Sequence, residues 1–437
     1  MRSDLAAVIM AGGKGTRIAS VHADIPKPMI LVCGKPILEH QIECLRKQGI
    51  RNIFLSIGHL GHIIRDYFGD GSGLSPVTQE PFGVTIRYIS EREPLGTAGA
   101  LYYLKPHIQG DFLLINGDLI FDVDFERFFR QHQESGADAT IFVHPNDHPF
   151  DSGIIITDED LYVTKWLHKE DDRLWYQNRV NAGLHFLSAE VLDRFETPVK
   201  KDLDRDILMP LIALESLHAY ASPEYVKDIG TPQRLAEVEH DMAQGKIAAK
   251  NLKKKQRAVF LDRDGTINRY VGFLRNIEEF ELIEGIAEAI KKINQSGYLA
   301  IVVTNQPVIA RGEVSWAQLH EIHNKMETLL GESGAFVDDI LICPHHPNKG
   351  FAGERPEYKI ACNCRKPKPG LLLEAAEQYN IDLSASWMVG DADTDIEAGL
   401  AAGCKVALIS EVLDEKREDI ATYSNLLGFA SEQFDKI

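Results

Sequence analysis

LAAVIMAGGKGTR, residues 5–17, and AVFLDRDGTIN, residues 258–268, decide how this chain folds. Each is a short apolar run that stops at a loop dense in glycine and charge, the pattern of a strand whose carboxyl end carries chemistry. Outward from the first, the helical stretch PILEHQIECLRKQG (36–49) is followed by NIFLSIG (52–58), VTIRYIS (84–90), FLLINGD (112–118) and ATIFVH (139–144). In that helix Pro36 suits the first helical position, Ile37, Leu38, Ile42 and Leu45 form one apolar face, and Gly49 ends it. Outward from the second, the same grammar restarts with GIAEAIKKINQSG (285–297), LAIVVTN (299–305) and SWMVGD (386–391). Apolar strands alternating with amphipathic helices mean βαβ units and parallel sheets, so both halves are predicted to be doubly wound α/β domains.

The length, 437 residues, is about three times the ~150 expected of one domain. The seam is predicted at KIAAKNLKKKQR, where a helical pattern decays into lysines: a domain over 1–245, a linker over 246–256 and a domain over 257–437. A solvated last helical turn describes those lysines equally well. With 44% hydrophobic and 26% charged residues the chain is neither disordered nor collagenous. Its net charge of −18 repels polyanions and excludes nucleic acid as a partner, while small phosphate esters stay accessible to glycine loops and metal ions. No window supplies the ~18 apolar residues of a membrane span. Met1 is followed by Arg2, Ser3 and Asp4 and not by a signal peptide, so a cytoplasmic protein without a membrane partner is expected. Six cysteines make no disulfide framework. Cys33, Cys44 and Cys404 read as buried thiols, and Cys343, Cys362 and Cys364 crowd one stretch.

In AGGKGTR (11–17) three glycines let backbone N–H groups approach a phosphate, and Lys14 and Arg17 supply charge, without the spacing of a P-loop or dinucleotide fingerprint. That loop, IPKP (25–28), LGTAGAL (95–101), INGD ending at Asp118, NAG (181–183) and DIGTP (228–232) occur in an order that resembles the sugar-1-phosphate nucleotidyltransferases, nearest their mannose-1-phosphate and heptose-1-phosphate guanylyltransferase branch. The resemblance implies a Rossmann-like domain in which a sugar phosphate oxygen attacks the α-phosphate of a nucleoside triphosphate, GTP by this branch, and expels pyrophosphate with Mg²⁺ present. It implies that Gly12, Gly13 and Gly15 line the nucleotide, Arg17 holds the departing pyrophosphate, Lys27 approaches the transferred phosphoryl group, and Asp118 and Asp228 hold Mg²⁺. Taken alone, Asp118 also reads as a turn or helix cap. Gly96 and Thr97 fall where the family contacts the base, Asn181 and Gly183 where it contacts the sugar, and Lys169 where it binds the sugar phosphate. His168 precedes Lys169 where the family usually has Glu, a change from two acceptor oxygens to one acceptor at most.

FLDRDGTIN delivers two aspartates two residues apart at a strand end, one placed to attack and one to manage protons. With VVTNQ (302–306), CRKPKPG (364–370) and VGDADTD (389–395) it resembles the haloacid dehalogenase-like phosphatases. That likeness implies Asp262 as the nucleophile, Asp264 as general acid and then base, Thr304 and Asn305 on the phosphoryl oxygens, Lys366 as the positive charge, and Mg²⁺ on Asp262, Asp264 and Asp391, with Asp395 in support. Between these motifs Cys343, His345, Cys362 and Cys364 form C-x-H, sixteen residues, C-x-C, four ligands able to close a structural zinc site, with His346 able to replace His345 by register. DRDGTIN, TNQPVIARG and the cysteine set resemble the heptose 1,7-bisphosphate phosphatase branch and its neighbour, histidinol phosphatase. The branch has no large cap, and Asp264 lies too close to GIAEAI for one, so Asn268, the VGFL segment (271–274), Arg311 and Arg365 are expected to grip substrate. Pro307 and Val308 stand where the family commonly has Ser-Gly.

Together the halves imply consecutive steps, removal of a phosphate from a heptose bisphosphate and nucleotidyl transfer to the heptose 1-phosphate. The alternative is a mannose- or glucose-1-phosphate nucleotidyltransferase joined to a histidinol-phosphate-type or other small-ester phosphatase.

Overall fold

A computed structural model describes residues 5–12, 24–91, 93–350, 352–410 and 420–435. The chain divides into two compact units, one of Met1–Val143, Ile155–Trp166 and Asn181–Asn251, the other of His144–Ile154, Leu167–Val180 and Leu252–Ile437.

In the first unit the strand Ala6–Met10 runs parallel to Asn52–Ile57 on one side and to Phe112–Asn116 on the other, at the centre of a sheet that has nine strands among the described residues. Its side chains alternate between two cores: Ala7 and Ile9 pack with Leu55 and Ile115, while Ala6 and Val8 pack with Phe54 and Leu114. Both faces are covered, which is why the run is apolar at every position instead of alternating. The helix Ile37–Lys47 buries Ile37, Leu38, Ile42 and Leu45, the face its spacing predicts. Val180–Leu187 pairs antiparallel with Phe112–Asn116 and extends the sheet on that side.

The second unit holds a parallel sheet in the order Asp339–Cys343, Leu299–Asn305, Ala258–Leu261, Trp387–Gly390, Lys405–Ile409, Ala421–Tyr423. Val259 and Leu261 enter one core, Ala258 and Phe260 the other. Because the sheet is parallel, the carboxyl ends of four neighbouring strands, at Cys343, Asn305, Leu261 and Gly390, lie along one edge. Between Asp264 and the helix Ile286–Gln295 the regular structure is one short 3₁₀ turn, Ile277–Glu279, so no cap domain intervenes among the described residues. Among the described residues no helix is long and apolar enough to cross a membrane.

Part of the stretch expected to link the halves is ordered and packed. Lys246–Ala249 is a helical turn, Ile247 is buried, and Asn251 Nδ2 donates to Asp122 Oδ1 at 2.7 Å. The lysine cluster hid Ile247 and Leu252, two buried apolar residues that anchor the segment.

Sequence patterning assigns residues 144–154 and 167–180 to the first half, but in the structure they belong to the second unit and dock on its helix Trp316–Glu332. Tyr176 N donates to Thr328 Oγ1 at 2.9 Å and Asn178 N to Glu327 Oε2 at 2.9 Å. Asn178 in turn fixes Asn146, donating from Nδ2 to its carbonyl and accepting its N–H on Oδ1. A Cβ at Gly331 would stand 2.6 Å from Pro149 Cγ, so the helix needs glycine where that residue packs.

Burial pushes the Glu327 carboxyl from its ordinary 4.5 up to about 7, and Asp339 adds to this while the Asn178 N–H and Arg179 oppose it. The folded state therefore holds more protons than the unfolded chain between those values, and stability falls as pH rises through that window. Glu327→Gln keeps an acceptor for Asn178 without the charge. The wild-type melting temperature, followed from about pH 5 to about pH 8, is expected to fall relative to that of this variant. Parallel curves would mean that Glu327 is ionised throughout.

Candidate active sites

In the first unit the candidate site is built where Ala6–Met10 and Phe112–Asn116 end. Gly117 N donates to Met10 O, and a Cβ there would stand 2.5 Å from that oxygen, so glycine lets the turn carrying Asp118 lie against the central strand. Lys27, in the short turn Lys27–Met29, meets Asp118 Oδ2 at 2.5 Å. The ribbon Leu119–Asp122 with Tyr225–Asp228 sets Asp228 opposite Leu119, next to Asp118 in the chain, and Ile229 N donates to Asp118 O at 2.9 Å. Arg234 Nη1 holds both oxygens of Asp228, at 2.9 and 2.7 Å. The two carboxylates expected to hold a metal are thus brought to adjoining rungs of one ribbon, each facing a cation.

Gly96 adopts a φ of 78°, and a Cβ there would collide with the Lys201 carbonyl. Thr97 Oγ1 accepts from Leu203 N at 2.7 Å and donates to Asp202 Oδ2 at 3.2 Å, so the hydroxyl ties LGTAGAL to residues 201–203. Asn181 Oδ1 takes the Gly183 N–H at 3.2 Å and lies 3.1 Å from His185 Nε2. Burial alone lowers His185 to about 3, so its ring is neutral. Gly183, at φ 79°, leaves room for the Asn116 side chain. Glu91, which no motif flagged, accepts from Ser56 Oγ and Leu95 N and lies against Gly12. Lys169 belongs to the second unit and is exposed, its ammonium 3.9 Å from Glu170. Gly13, Gly15 and Arg17 lie outside the described residues.

In the second unit Asp262 follows Ala258–Leu261 directly, and its N–H donates to Val389 O at 3.0 Å. Lys366 is almost fully buried and its ammonium stands between Asp262 Oδ1 at 2.7 Å and Asp395 Oδ1 at 2.6 Å. Burial works against its charge, but the two carboxylates outweigh this and hold Lys366 above its ordinary value. Burial pushes Asp262 up to about 7 against the pull of Lys366, and pushes Asp391 up to about 6 with Asp395 adding to it. One oxygen each from Asp262, Asp391 and Asp395 falls within 4.8 Å of the others, a group able to hold a hard cation. Gly265, at φ 86°, passes so close to Asp391 that a Cβ would collide with its carboxylate.

Asp264 is arranged differently. Its carboxylate accepts from Arg263 Nη2 at 2.9 and 2.8 Å, from Asn268 Nδ2 at 3.1 Å and from Gln306 Nε2 at 2.8 Å. The metal-ligand group therefore gathers Asp395 where sequence reasoning put Asp264. Asn305 does not point its amide at a free phosphoryl position: Nδ2 donates to Lys366 O and Oδ1 accepts from Lys366 N, both at 3.1 Å. Thr304 Oγ1 accepts from Gln306 Nε2 at 2.8 Å. Arg311 pairs with Glu313 and lies 4.3 Å over Phe273, in the segment expected to grip substrate, while Arg365 Nη1 donates to His345 O at 3.2 Å.

Beside this site, on the neighbouring strand, Asn305 registers with Cys343. Cys364 Sγ is 3.3 Å from both Cys343 Sγ and Cys362 Sγ, which are 3.7 Å apart; His345 Nδ1 is 3.3 Å from Cys364 Sγ and 3.8 Å from Cys343 Sγ. A tetrahedron of ligands ~2.3 Å from zinc has edges of about 3.8 Å, so the four atoms have the size and shape of such a shell. Of the two histidines it is His345 that lies with the three cysteines, while His346 Nδ1 accepts the Asn348 N–H.

A parallel sheet with Asp262, Asp391, Asp395 and Lys366 at its carboxyl edge, and a mixed sheet with Asp118 and Asp228 beside the end of its central strand, are arrangements suited to phosphoryl chemistry. The nucleotidyl transferase profile matches residues 6–245 and the HAD-hydrolase-like profile residues 363–422. Over 155 residues the chain is 43% identical to D-glycero-beta-D-manno-heptose-1,7-bisphosphate 7-phosphatase of Escherichia coli (strain K12), covering 35% of this chain and 79% of that one. Among solved structures, HddC from Yersinia pseudotuberculosis is 29% identical over 55% of this chain and 99% of its own, with a TM-score of 0.46. The D,D-heptose 1.7-bisphosphate phosphatase from B. bronchiseptica, solved with magnesium and phosphate, is 30% identical over 42% of this chain and 100% of its own, with a TM-score of 0.37. The chain belongs to the nucleotidyl transferase family through its first half and to the HAD-like heptose-bisphosphate phosphatase family through its second. It is an enzyme with both reaction types.

The clasp of Asn305 on the Lys366 backbone makes a specific demand. Asn305→Ala should lower phosphatase kcat by about 10- to 100-fold, because an ammonium misplaced by an ångström loses its effect on the transferred group. Steady-state kinetics of phosphate release check this, with pyrophosphate release as the internal control.

Proposed function

We propose that the two halves catalyse consecutive reactions: removal of the 7-phosphate of D-glycero-D-manno-heptose 1,7-bisphosphate, then transfer of a nucleotidyl group, GMP from GTP, to the resulting heptose 1-phosphate. The observation that carries this reading is the pairing in one chain of a phosphatase, 43% identical to enzymes named for that bisphosphate, with a nucleotidyl transferase domain. The first enzyme leaves the anomeric phosphate that the second requires. GTP is favoured by the likeness of AGGKGTR and LGTAGAL to the guanylyltransferase branch.

In the phosphatase, an Asp262 oxygen attacks phosphorus and the bond to the sugar oxygen breaks, that oxygen taking a proton from Asp264. Water then gives its proton to Asp264 and attacks the aspartyl-phosphate, releasing phosphate and restoring Asp262. Lys366, held between Asp262 and Asp395, offsets the charge that gathers on the phosphoryl oxygens. In the transferase, Lys27 and Arg17 play that part for the α-phosphate and the departing pyrophosphate, and Lys169, Asn181 and Gly183 receive the sugar phosphate. Asp118 with Asp228, and Asp262 with Asp391 and Asp395, would hold Mg²⁺, which when bound neutralises phosphate charge. Cys343, His345, Cys362 and Cys364 would hold a structural zinc that braces the loop delivering Lys366, two residues beyond Cys364.

Given GTP, Mg²⁺ and the heptose 1,7-bisphosphate, the purified protein should yield phosphate, pyrophosphate and GDP-heptose by mass spectrometry. Asp262→Asn should abolish phosphate release and spare pyrophosphate release from supplied heptose 1-phosphate; Asp118→Ala should do the reverse. Loss of both activities in either variant would contradict two independent sites. Metal analysis should find one zinc per chain, and Cys364→Ser should lose both the zinc and most phosphatase activity, with the transferase retained.

A further inference from the structure

Arg263 lies between the two catalytic aspartates in sequence, yet it is fully buried and is the largest such side chain among the described residues. A buried guanidinium is costly unless its donors are matched. Nη2 gives both its bonds to Asp264; Nη1 reaches one partner, His323 Nε2, at 3.0 Å; and Nε has none among the described residues. The orientation of the group is therefore fixed from two ends only, by Asp264 and by a histidine sixty residues further along the chain.

His323 is itself buried, on the inner face of Trp316–Glu332 with Leu319, Ile322 and Met326. Since both guanidinium nitrogens donate, Nε2 must offer a lone pair and the ring must be neutral. Burial, with Arg263 and His320 adding to it, keeps His323 well below its ordinary value and so agrees with that tautomer.

We infer that His323 is a positioning residue for the phosphatase: through Arg263 it aims the Asp264 carboxyl at the leaving oxygen of the substrate. Asn268 and Gln306 grip the same carboxyl from its other sides, but neither is anchored to the helix, and neither replaces the missing end of the guanidinium if His323 is lost. Removing the imidazole leaves Arg263 Nη1 without an acceptor in a closed interior, and the guanidinium turns toward whatever acceptor it can find, taking Asp264 with it. The inference rests on the role of Asp264 as the acid that protonates the departing alkoxide.

That role gives a readout which loss of packing does not imitate. A sugar or other alkyl phosphate needs its leaving oxygen protonated, whereas p-nitrophenyl phosphate expels a stabilised phenolate without help. In the full chain, His323→Leu is expected to lower kcat/KM about 10-fold or more on the alkyl phosphate and to change kcat/KM on p-nitrophenyl phosphate by less than about twofold, because kcat/KM ends with formation of the aspartyl-phosphate and leaves out the later step in which Asp264 takes the proton of water. His323→Gln, whose Oε1 can accept from Arg263, is expected to restore most of the alkyl phosphate rate. Equal losses on both substrates, or no rescue by glutamine in a variant that melts with the wild type, would overturn the positioning role. If the wild-type protein hydrolyses neither substrate, the fault lies instead with the phosphatase reading itself. Should His323→Leu not fold, the glutamine and asparagine variants at this position still compare a side chain that reaches Nη1 with one that falls short.

Discussion

One buried ammonium ties together the carboxylate cluster of the second unit. Lys366 sits between Asp262 and Asp395, and without it two carboxylates would face each other with no cation between them. Desolvation opposes every charge in this cluster, which is why Asp262 and Asp391 rise even with the lysine present. Much of the nearby chain is arranged to keep that ammonium in place. Asn305 grips its backbone from the end of one strand, Cys364 just before it packs against Cys343 and His345, and the Asp395 carboxylate that receives it also caps Ala392 N at 3.1 Å. Sequence-distant features, a strand end, a cysteine cluster and a helix start, converge on one charge.

The architecture was legible because parallel strands covered on both faces leave an unbroken apolar signature. AVIM, FLLIN and LAIVV announce themselves, and the loops after them contain the residues that matter. Asp262 and Asp391 were legible for the same reason, since each sits directly after such a run. The job of Asn305 was not. From sequence an asparagine after a threonine at a strand end reads as a phosphate ligand, whereas its amide is committed to the backbone of residue 366, a pairing set by a loop that no periodicity describes. Thr97 and Asn181 are similar cases, in which a side chain predicted to face a ligand also ties backbone segments together.

Arg263 carried a signal that motif reading passes over. A charged residue embedded in a run otherwise destined for the interior demands a partner, and one aspartate beside it does not satisfy a guanidinium with five donors. That arithmetic calls for a second acceptor somewhere in the fold, although it cannot name His323. The docking of residues 144–154 and 167–180 left less trace still. It depends on single hydrogen bonds from irregular backbone, and the lone hint is glycine at position 331 in the middle of an otherwise regular helix.

The helix Trp316–Glu332 is where these hidden contacts meet. His323 and Glu327 are one turn apart, so they share a face of the helix, and Thr328 stands next to it. The first reaches Arg263 and through it Asp264; the other two take the N–H groups of Asn178 and Tyr176. A helix fixed at both places cannot shift along its axis to improve one contact without lengthening the other, because close-packed interiors offer no slack of even half an ångström. Residues 167–180 carry Lys169 and run directly into Asn181 and Gly183. Irregular backbone that the sequence assigns to the first half is thus held on this helix, inside the second unit, by single hydrogen bonds.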